Sequence, residues 1–456
     1  MMMQIINPAT EEIIQEVEED TLETISAKFA ILQKGQAAWS HIDLSERIAI
    51  VINFSRLLAL HIERLAEVLT AEVGKPLQQS RNEINGAITR INWMTANAEK
   101  YLADEIMNQQ EGLEERITYE PLGIVCNISA WNYPYLVGVN VFVPALLAGN
   151  SVLYKPSEHA TLTGYEIEKL LIEAGVPNNV FQVATGGGPV GELLLYQNFD
   201  GYFFTGSYNT GKHIYRNVAG KMVVCQLELG GKDPLYVAED VVDISAVAAA
   251  TADGAFYNNG QSCCAVERIY VHEKVYEAYV DAFKNEVSTW KVGLPTEEGV
   301  YFGAVTRKEQ VGVLKTQVAD AVSKGAIIAA GGSQINRKGY YFEPTILTNV
   351  THDMQVMKDE SFGPVIGIMK VSNDEEAISL MKDTAYGLTA SVYTSDRAKA
   401  ENILKQLDTG SGYWNCCDRV SATLPWSGRK HSGFGVSLSH AGLRAFVRPK
   451  GLHLRG

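Results

Sequence analysis

GIVCNISAWNYPYLVGVNVFVPALLAGNSVLYKPSEHATLTGYEIEKLLIEAGVPNNVFQVATGGG, residues 123–188, decides the fold. It opens with the β-rich run GIVCNIS and turns helical to about Leu147. SVLYK follows, then a helical run to about Ala174, then VFQVA and a glycine cluster. Beyond it come a helical run to about Tyr196, GYFFT, a helical run to about Ala219, and MVVCQLEL ending at Leu229. Strand–helix alternation with short glycine-containing connections predicts a parallel sheet covered by helices, an architecture of the nucleotide-binding type.

Outward from there, residues 21–110 read as mainly helical, with apolar positions at helical spacing through SERIAIVINFSRLLALHIERLAEVLTAEV. From about Gly230 the alternation restarts. Helices near 243–258 and 274–290 and strands at RIYV, AIIAA, GPVIGIMKV and ASVYT predict a second α/β domain. The stretches LDTGSGYWN and SGRKHSGFG read as loops.

Bulk properties bound the function. A chain of 456 residues exceeds one hydrophobic core, and 46% hydrophobic with 20% charged residues is an ordinary globular balance. A net charge of -14 argues against nucleic acid or an anionic membrane as partner. The N-terminus lacks a basic segment followed by an apolar core, and the most apolar stretch, Val137 to Leu147, is too short to span a bilayer. Six cysteines, four of them in two adjacent pairs, do not form a disulfide framework, and no CxxC or HExxH offers a zinc site. A reduced, cytoplasmic setting without a metal is expected.

Two glycine loops face the predicted sheet. Gly186, Gly188 and Gly191 spell GxGxxG between a strand and a helix, yet no Asp or Glu closes a strand about 20 residues on. A tight turn and a contact on the adenine side of a cofactor are equal readings. Phe204-Thr205-Gly206-Ser207 opens a helix, whose free N–H groups face any anion placed there. A plain Ser/Thr cap is the equal alternative.

Eight segments then occur in order: SAWNYP (129–134), KPSE (155–158), FTGS with Gly211, LELGGK (227–232), GQSCCAVER (260–268), ESFGPV (360–365), YWN (413–415) and SGFG (432–435). In order, spacing and nearly full length, the chain resembles the aldehyde dehydrogenase superfamily, in its NAD(P)-dependent, non-CoA-acylating form. The resemblance implies Cys263 as nucleophile, a residue type whose thiolate attacks carbonyls near neutral pH. Its neighbour Cys264 points elsewhere, since adjacent side chains diverge. The resemblance also implies Asn132 and the Cys263 N–H as donors to the developing alkoxide, and Glu228 as the base that hydrolyses the thioester.

For the cofactor it implies Ser129, Trp131, Lys155, Ser157, Glu158, Gly188, Phe204, Thr205, Gly206, Ser207, Leu229, Gly230, Glu360 and Phe362. Glu158 favours NAD, because a carboxylate accepts both ribose hydroxyls and repels a 2′-phosphate; NADP is the alternate. Two positions depart from the family pattern. Val141 stands where many members carry a Lys, and Ser437 where a Glu is common, so protons take another route.

Pocket positions implied by the resemblance are Tyr133, Val137, Asn140, Tyr257, Ser262, Cys264, Arg419 and Trp426. Mostly aromatic or small, they point to an uncharged medium-chain or aromatic aldehyde. Tyr257 stands about where succinate-semialdehyde dehydrogenases carry an Arg. A carboxylate-bearing semialdehyde, for which Arg419 is the candidate, and a CoA-acylating reaction are the alternatives. The expected architecture is a Rossmann-type cofactor domain (1–102 and 122–230, with 431–445), an α/β catalytic domain (231–430) and a small β oligomerisation element (103–121 and 446–456). Strand pairing through that element implies a homodimer or homotetramer.

Overall fold

A computed structural model describes all 456 residues. The strand Ile124–Ile128 is buried at every position, as expected where helices cover both faces of a parallel sheet. It pairs in parallel with Ser151–Lys155 on one side and Gly201–Gly206 on the other. Phe181–Val183 extends the first side, and Val224–Leu229 the second. The strand order therefore reverses at Ile124–Ile128. A crevice opens there between the carboxyl ends of two neighbouring strands, where ligands of such sheets bind.

The second sheet has seven strands, in the order Ile327–Ala330, Thr345–Thr348, Val365–Val371, Val266–His272, Asp233–Val237, Thr389–Tyr393 and Ser411–Trp414. Only its Ile327–Ala330 edge runs antiparallel. Leu113–Pro121 pairs with Glu105–Gln110 and, residue by residue, with Val447–Arg455 in a third, exposed antiparallel sheet. Met2–Ile6 and Ile13–Glu18 form an N-terminal hairpin that the sequence reading did not contain.

The helical reading of residues 45–73 holds, as two helices, Leu44–Leu60 and Ile62–Val73, that meet at His61. Two loop expectations need correction. LDTGSGYWN is not all loop, because Ser411–Trp414 is an edge strand of the second sheet. Nor is SGRKHSGFG, whose Gly433–Phe434 pairs with Leu227 and Glu228. Glycines disguised these strands, and at Gly433 the reason is steric. Its φ is +102, and an added Cβ would lie 1.9 Å from the Leu227 carbonyl oxygen.

Candidate active site

The thiol segment begins where the helix Ile244–Phe256 ends. Asn258, Asn259 and Gly260 all take left-handed backbone, with φ of +55, +56 and +70. Asparagine tolerates this because its short amide bonds locally. The Asn258 Nδ2 donates to the carbonyls of Gln261 (3.2 Å) and Asn132 (3.1 Å). The reversal carries Cys263 to a point where three cavities meet, of about 490, 290 and 30 Å³. Its backbone N–H has no acceptor within the chain.

Asn132 lies beside it, fixed by a buried ion pair. Lys75 Nζ donates to Glu83 Oε2 (2.6 Å) and to the Asn132 carbonyl (2.5 Å). The other Glu83 oxygen accepts from the Tyr135 N–H (2.8 Å), at the start of the helix Pro134–Leu147. The Asn132 side-chain amide donates to the Gln261 carbonyl (3.0 Å), leaving its second N–H uncommitted. One unpaired N–H on each residue gives the site two donors for a developing negative oxygen.

Glu228 stands in the 30 Å³ chamber with Gln226, Val141, Ser437 and Cys263. Gln226 and Glu228 are two apart on a strand and so share a face. Gln226 Nε2 (3.4 Å) and Ser437 Oγ (3.3 Å) donate weakly to Glu228 Oε1, and Oε2 is buried without a partner. Burial pushes the carboxyl up to about 8, against those two hydrogen bonds. Val141 and Ser437, the two departures from the family pattern, thus share one chamber with this carboxyl.

The 290 Å³ cleft opens at the sheet's switch point. Trp131, Thr205, Gly206, Ser207, Leu229, Gly230, Glu360 and Phe362 line it, together with Asn132, Glu228 and Cys263. Trp131 meets Phe362 edge-on with ring centroids 5.4 Å apart. Phe362 has a φ of +45, held in place because Glu267 accepts from the Ser361 and Phe362 N–H groups while paired to Lys232. At Gly230 a Cβ would come within 2.2 Å of the Glu360 carboxyl, so the glycine leaves room for that side chain to lie against the strand end. That carboxyl accepts from the Gly231 N–H (3.0 Å), and burial, then the charge of Glu267, pushes it up to about 8. Ser207 caps the helix Tyr208–Val218, accepting from the Thr210 N–H at 3.4 Å.

The remaining positions expected to hold a cofactor lie at the carboxyl ends of neighbouring strands, outside that cleft. Ser129 follows Ile124–Ile128, and its hydroxyl is buried without a partner. Lys155 ends the next strand and donates to the Pro156 carbonyl (3.2 Å), while Ser157 donates to Glu158 (3.0 Å). Burial works to raise Glu158, but Lys155, His159 and hydrogen bonds outweigh it and keep the carboxylate below its usual range. Of the GxGxxG glycines only Gly186, with φ +143, is demanded by the backbone; a Cβ at Gly188 meets nothing within 4 Å. The Phe204 side chain packs in the core against the sheet.

The 490 Å³ pocket collects Tyr133, Val137, Asn140, Tyr257, Ser262, Cys264, Arg419 and Trp426 on the far side of Cys263. Cys264 is buried and donates to Asp418 Oδ1 (3.0 Å). Hydrogen bonding with Cys263, burial and the Asp418 charge hold its thiol far above the usual range, so it stays protonated. The sequence reading missed Arg90, Asn82 and Thr89 on the helix Leu77–Leu102, and Asp253 and Asp418 opposite. Arg90 left a signal. It interrupts the buried stripe Ala87, Ile91, Met94 of that helix, where a charge is out of place.

The family described as "Aldehyde dehydrogenase family" matches residues 1–452. An aminoaldehyde dehydrogenase 1 of Pisum sativum, described as peroxisomal, is 34% identical over 98% of this chain and 91% of its own. A chloroplastic betaine aldehyde dehydrogenase of Amaranthus hypochondriacus is also 34% identical, with the same coverage. An indole-3-acetaldehyde dehydrogenase solved with NAD+ superposes with a TM-score of 0.96 at 31% identity, covering 100% of this chain and 93% of that one. An E. coli NADP-dependent enzyme gives 0.97 at 28%, covering 100% and 95%.

Proposed function

The chain belongs to the aldehyde dehydrogenase family, and on that premise we propose that it oxidises an aldehyde to the carboxylic acid through a thioester on Cys263. The observation that carries the reading is the position of this sulfur, at the junction of the cleft, the pocket and the chamber that holds Glu228. The Cys263 sulfur, as thiolate, gives its electron pair to the aldehyde carbon, and the carbonyl π pair moves to oxygen. Asn132 Nδ2 and the Cys263 N–H receive that oxyanion, each donor contributing about 3–4 kcal/mol. A nicotinamide dinucleotide, when bound, supplies the acceptor for the departing hydride. With the pair on oxygen returned to carbon, a thioester remains. Glu228 takes a proton from water as the water oxygen attacks, and the Cys263–carbon bond breaks to release the acid. Ser437 and Gln226 orient Glu228 in this scheme, in place of a Lys and Glu pair.

The cleft suits the nicotinamide end of the cofactor. Its walls pair aromatic and apolar surface with the Glu360 carboxyl and the helix start at Ser207. The unpartnered Ser129 hydroxyl, Lys155 and Glu158 offer the adenosine end both donors and acceptors, and Glu158 favours NAD over NADP. A present general-base carboxylate favours water over CoA as the thioester's acceptor. The aromatic and apolar half of the pocket supports an aldehyde body of medium length.

The proposal extends to organisation. Cofactor and catalytic domains divide near Gly230, and the exposed three-stranded sheet supplies the contact of a homodimer or homotetramer. No helix is long and apolar enough to cross a membrane. Six cysteines without a disulfide support a cytoplasmic setting. NADH formation over a panel of aldehydes, with NAD and NADP compared in wild type and Cys263→Ser, tests the reading. Activity near wild type in the serine variant would overturn it.

A further inference from the structure

We infer that Arg90 is a specificity-determining residue which receives a carboxylate carried by the aldehyde substrate. The inference rests on the aldehyde-oxidising reading and replaces the uncharged substrate that the sequence suggested.

Arg90 lines the 490 Å³ pocket together with Cys263 and is only 8% exposed. Its Nη1 donates to Asn140 Oδ1 (3.0 Å) and the Leu136 carbonyl (3.1 Å), both neutral acceptors. Nε and Nη2 have no acceptor in the chain and are not sealed in the interior. No carboxylate lies within 4.0 Å of the guanidinium, since the neighbouring Glu83 is spent on Lys75. Burial lowers Arg90 only to about 10, so it remains a cation at neutral pH.

Another arginine of the same chain shows what a purely structural one looks like. Arg268 is fully buried, and its Nε, Nη1 and Nη2 all donate to backbone carbonyls, those of Lys232, Leu380, Asp383 and Met381. Arg90 instead keeps most of its fork free and turned to the cavity that ends at the thiol. A buried cation without a counter-charge is costly, and an anionic ligand removes the cost. A carboxylate matches the planar donor fork best.

The pocket's own carboxylates do not fill that role. Asp418 accepts from Cys264 Sγ and Ser262 Oγ, and Asp253 from the Tyr301 hydroxyl. A cationic aldehyde must share the cavity with the Arg90 charge.

The test measures kcat/KM for 4-oxobutanoate and 5-oxopentanoate against butanal, pentanal and 4-aminobutanal, in wild type, Arg90→Met and Arg90→Lys. Ratios between substrates within one variant do not depend on how much of it is folded. Wild type is expected to prefer the oxo acids. Arg90→Met should lower the ratio of kcat/KM for the oxo acids to that for the neutral aldehydes by about 10- to 100-fold, as befits a charge-assisted contact. Arg90→Lys should recover part of the preference. Equal or better use of the neutral or cationic aldehydes by wild type, or an unchanged ratio in Arg90→Met, overturns the inference alone. Absence of oxidation of all five with both NAD and NADP overturns the aldehyde-oxidising reading beneath it.

Discussion

If Glu228 releases the acid, the hydrolytic step must follow the ionisation of a carboxyl that burial holds at about 8. At pH 7 about one molecule in ten then carries the base form, and at pH 9 about nine in ten. Under conditions where hydrolysis limits turnover, kcat should rise about tenfold between those values. Replacing Glu228 by Gln removes the base. Stopped-flow absorbance should then show a burst close to one NADH per site, followed by a stall, with no pH rise in the slow phase. Stability carries the same signature with a definite sign. The folded carboxyl holds its proton from the ordinary 4.5 up to about 8, so stability falls as pH climbs through that window. At about 1.4 kcal/mol per pH unit the full penalty is about 5 kcal/mol, reached above pH 8 and absent in the Gln variant. A Gln variant that turns over at the wild-type rate, or a wild-type kcat flat from pH 7 to 9 with hydrolysis limiting, refutes the assignment.

Other outcomes follow from named contacts. Asn132→Ala should lower kcat/KM by about 10²- to 10³-fold with little change in melting temperature, the cost of one oxyanion donor; a loss below threefold removes Asn132 from that role. Lys75→Met strands Glu83 in the interior and frees the Asn132 carbonyl. It should destabilise the fold by about 3–5 kcal/mol in denaturant titrations and depress kcat in the folded fraction; an unchanged midpoint contradicts this. Glu158→Gln should narrow the NAD-over-NADP preference in kcat/KM, because the repelling charge is gone. A ratio equal to wild type would place the ribose elsewhere.

Much of this was legible in the sequence because the fold's logic is periodic. The buried strand Ile124–Ile128, its helical partners and the order of short motifs all register in one dimension, and so did Cys263, Asn132 and Glu228 as candidates. What escaped is three-dimensional. Arg90 sits on a helix 173 positions from the thiol in sequence, and nothing local says that the buried stripe it interrupts borders a cavity. The Ser411–Trp414 and Gly433–Phe434 strands hid behind glycines whose purpose is close backbone approach rather than a turn. Lys75 and Glu83 carry no mark in the sequence of their pairing, yet both are fully buried under Asn132. Val141 and Ser437 were noticed as departures, and only their common chamber with Glu228 gives them a shared meaning.

In the proposed mechanism the Cys263 sulfur, and not the adjacent Cys264, carries the acyl group. That placement is tested most directly by acid-quenching the Glu228→Gln variant after its burst with aldehyde and NAD, then mapping the acyl mass on the peptide that holds both cysteines. One thioester per chain is expected, on Cys263, and none in the variant that also carries Cys263→Ser. Acyl mass on Cys264, or a burst without any thioester, would contradict it.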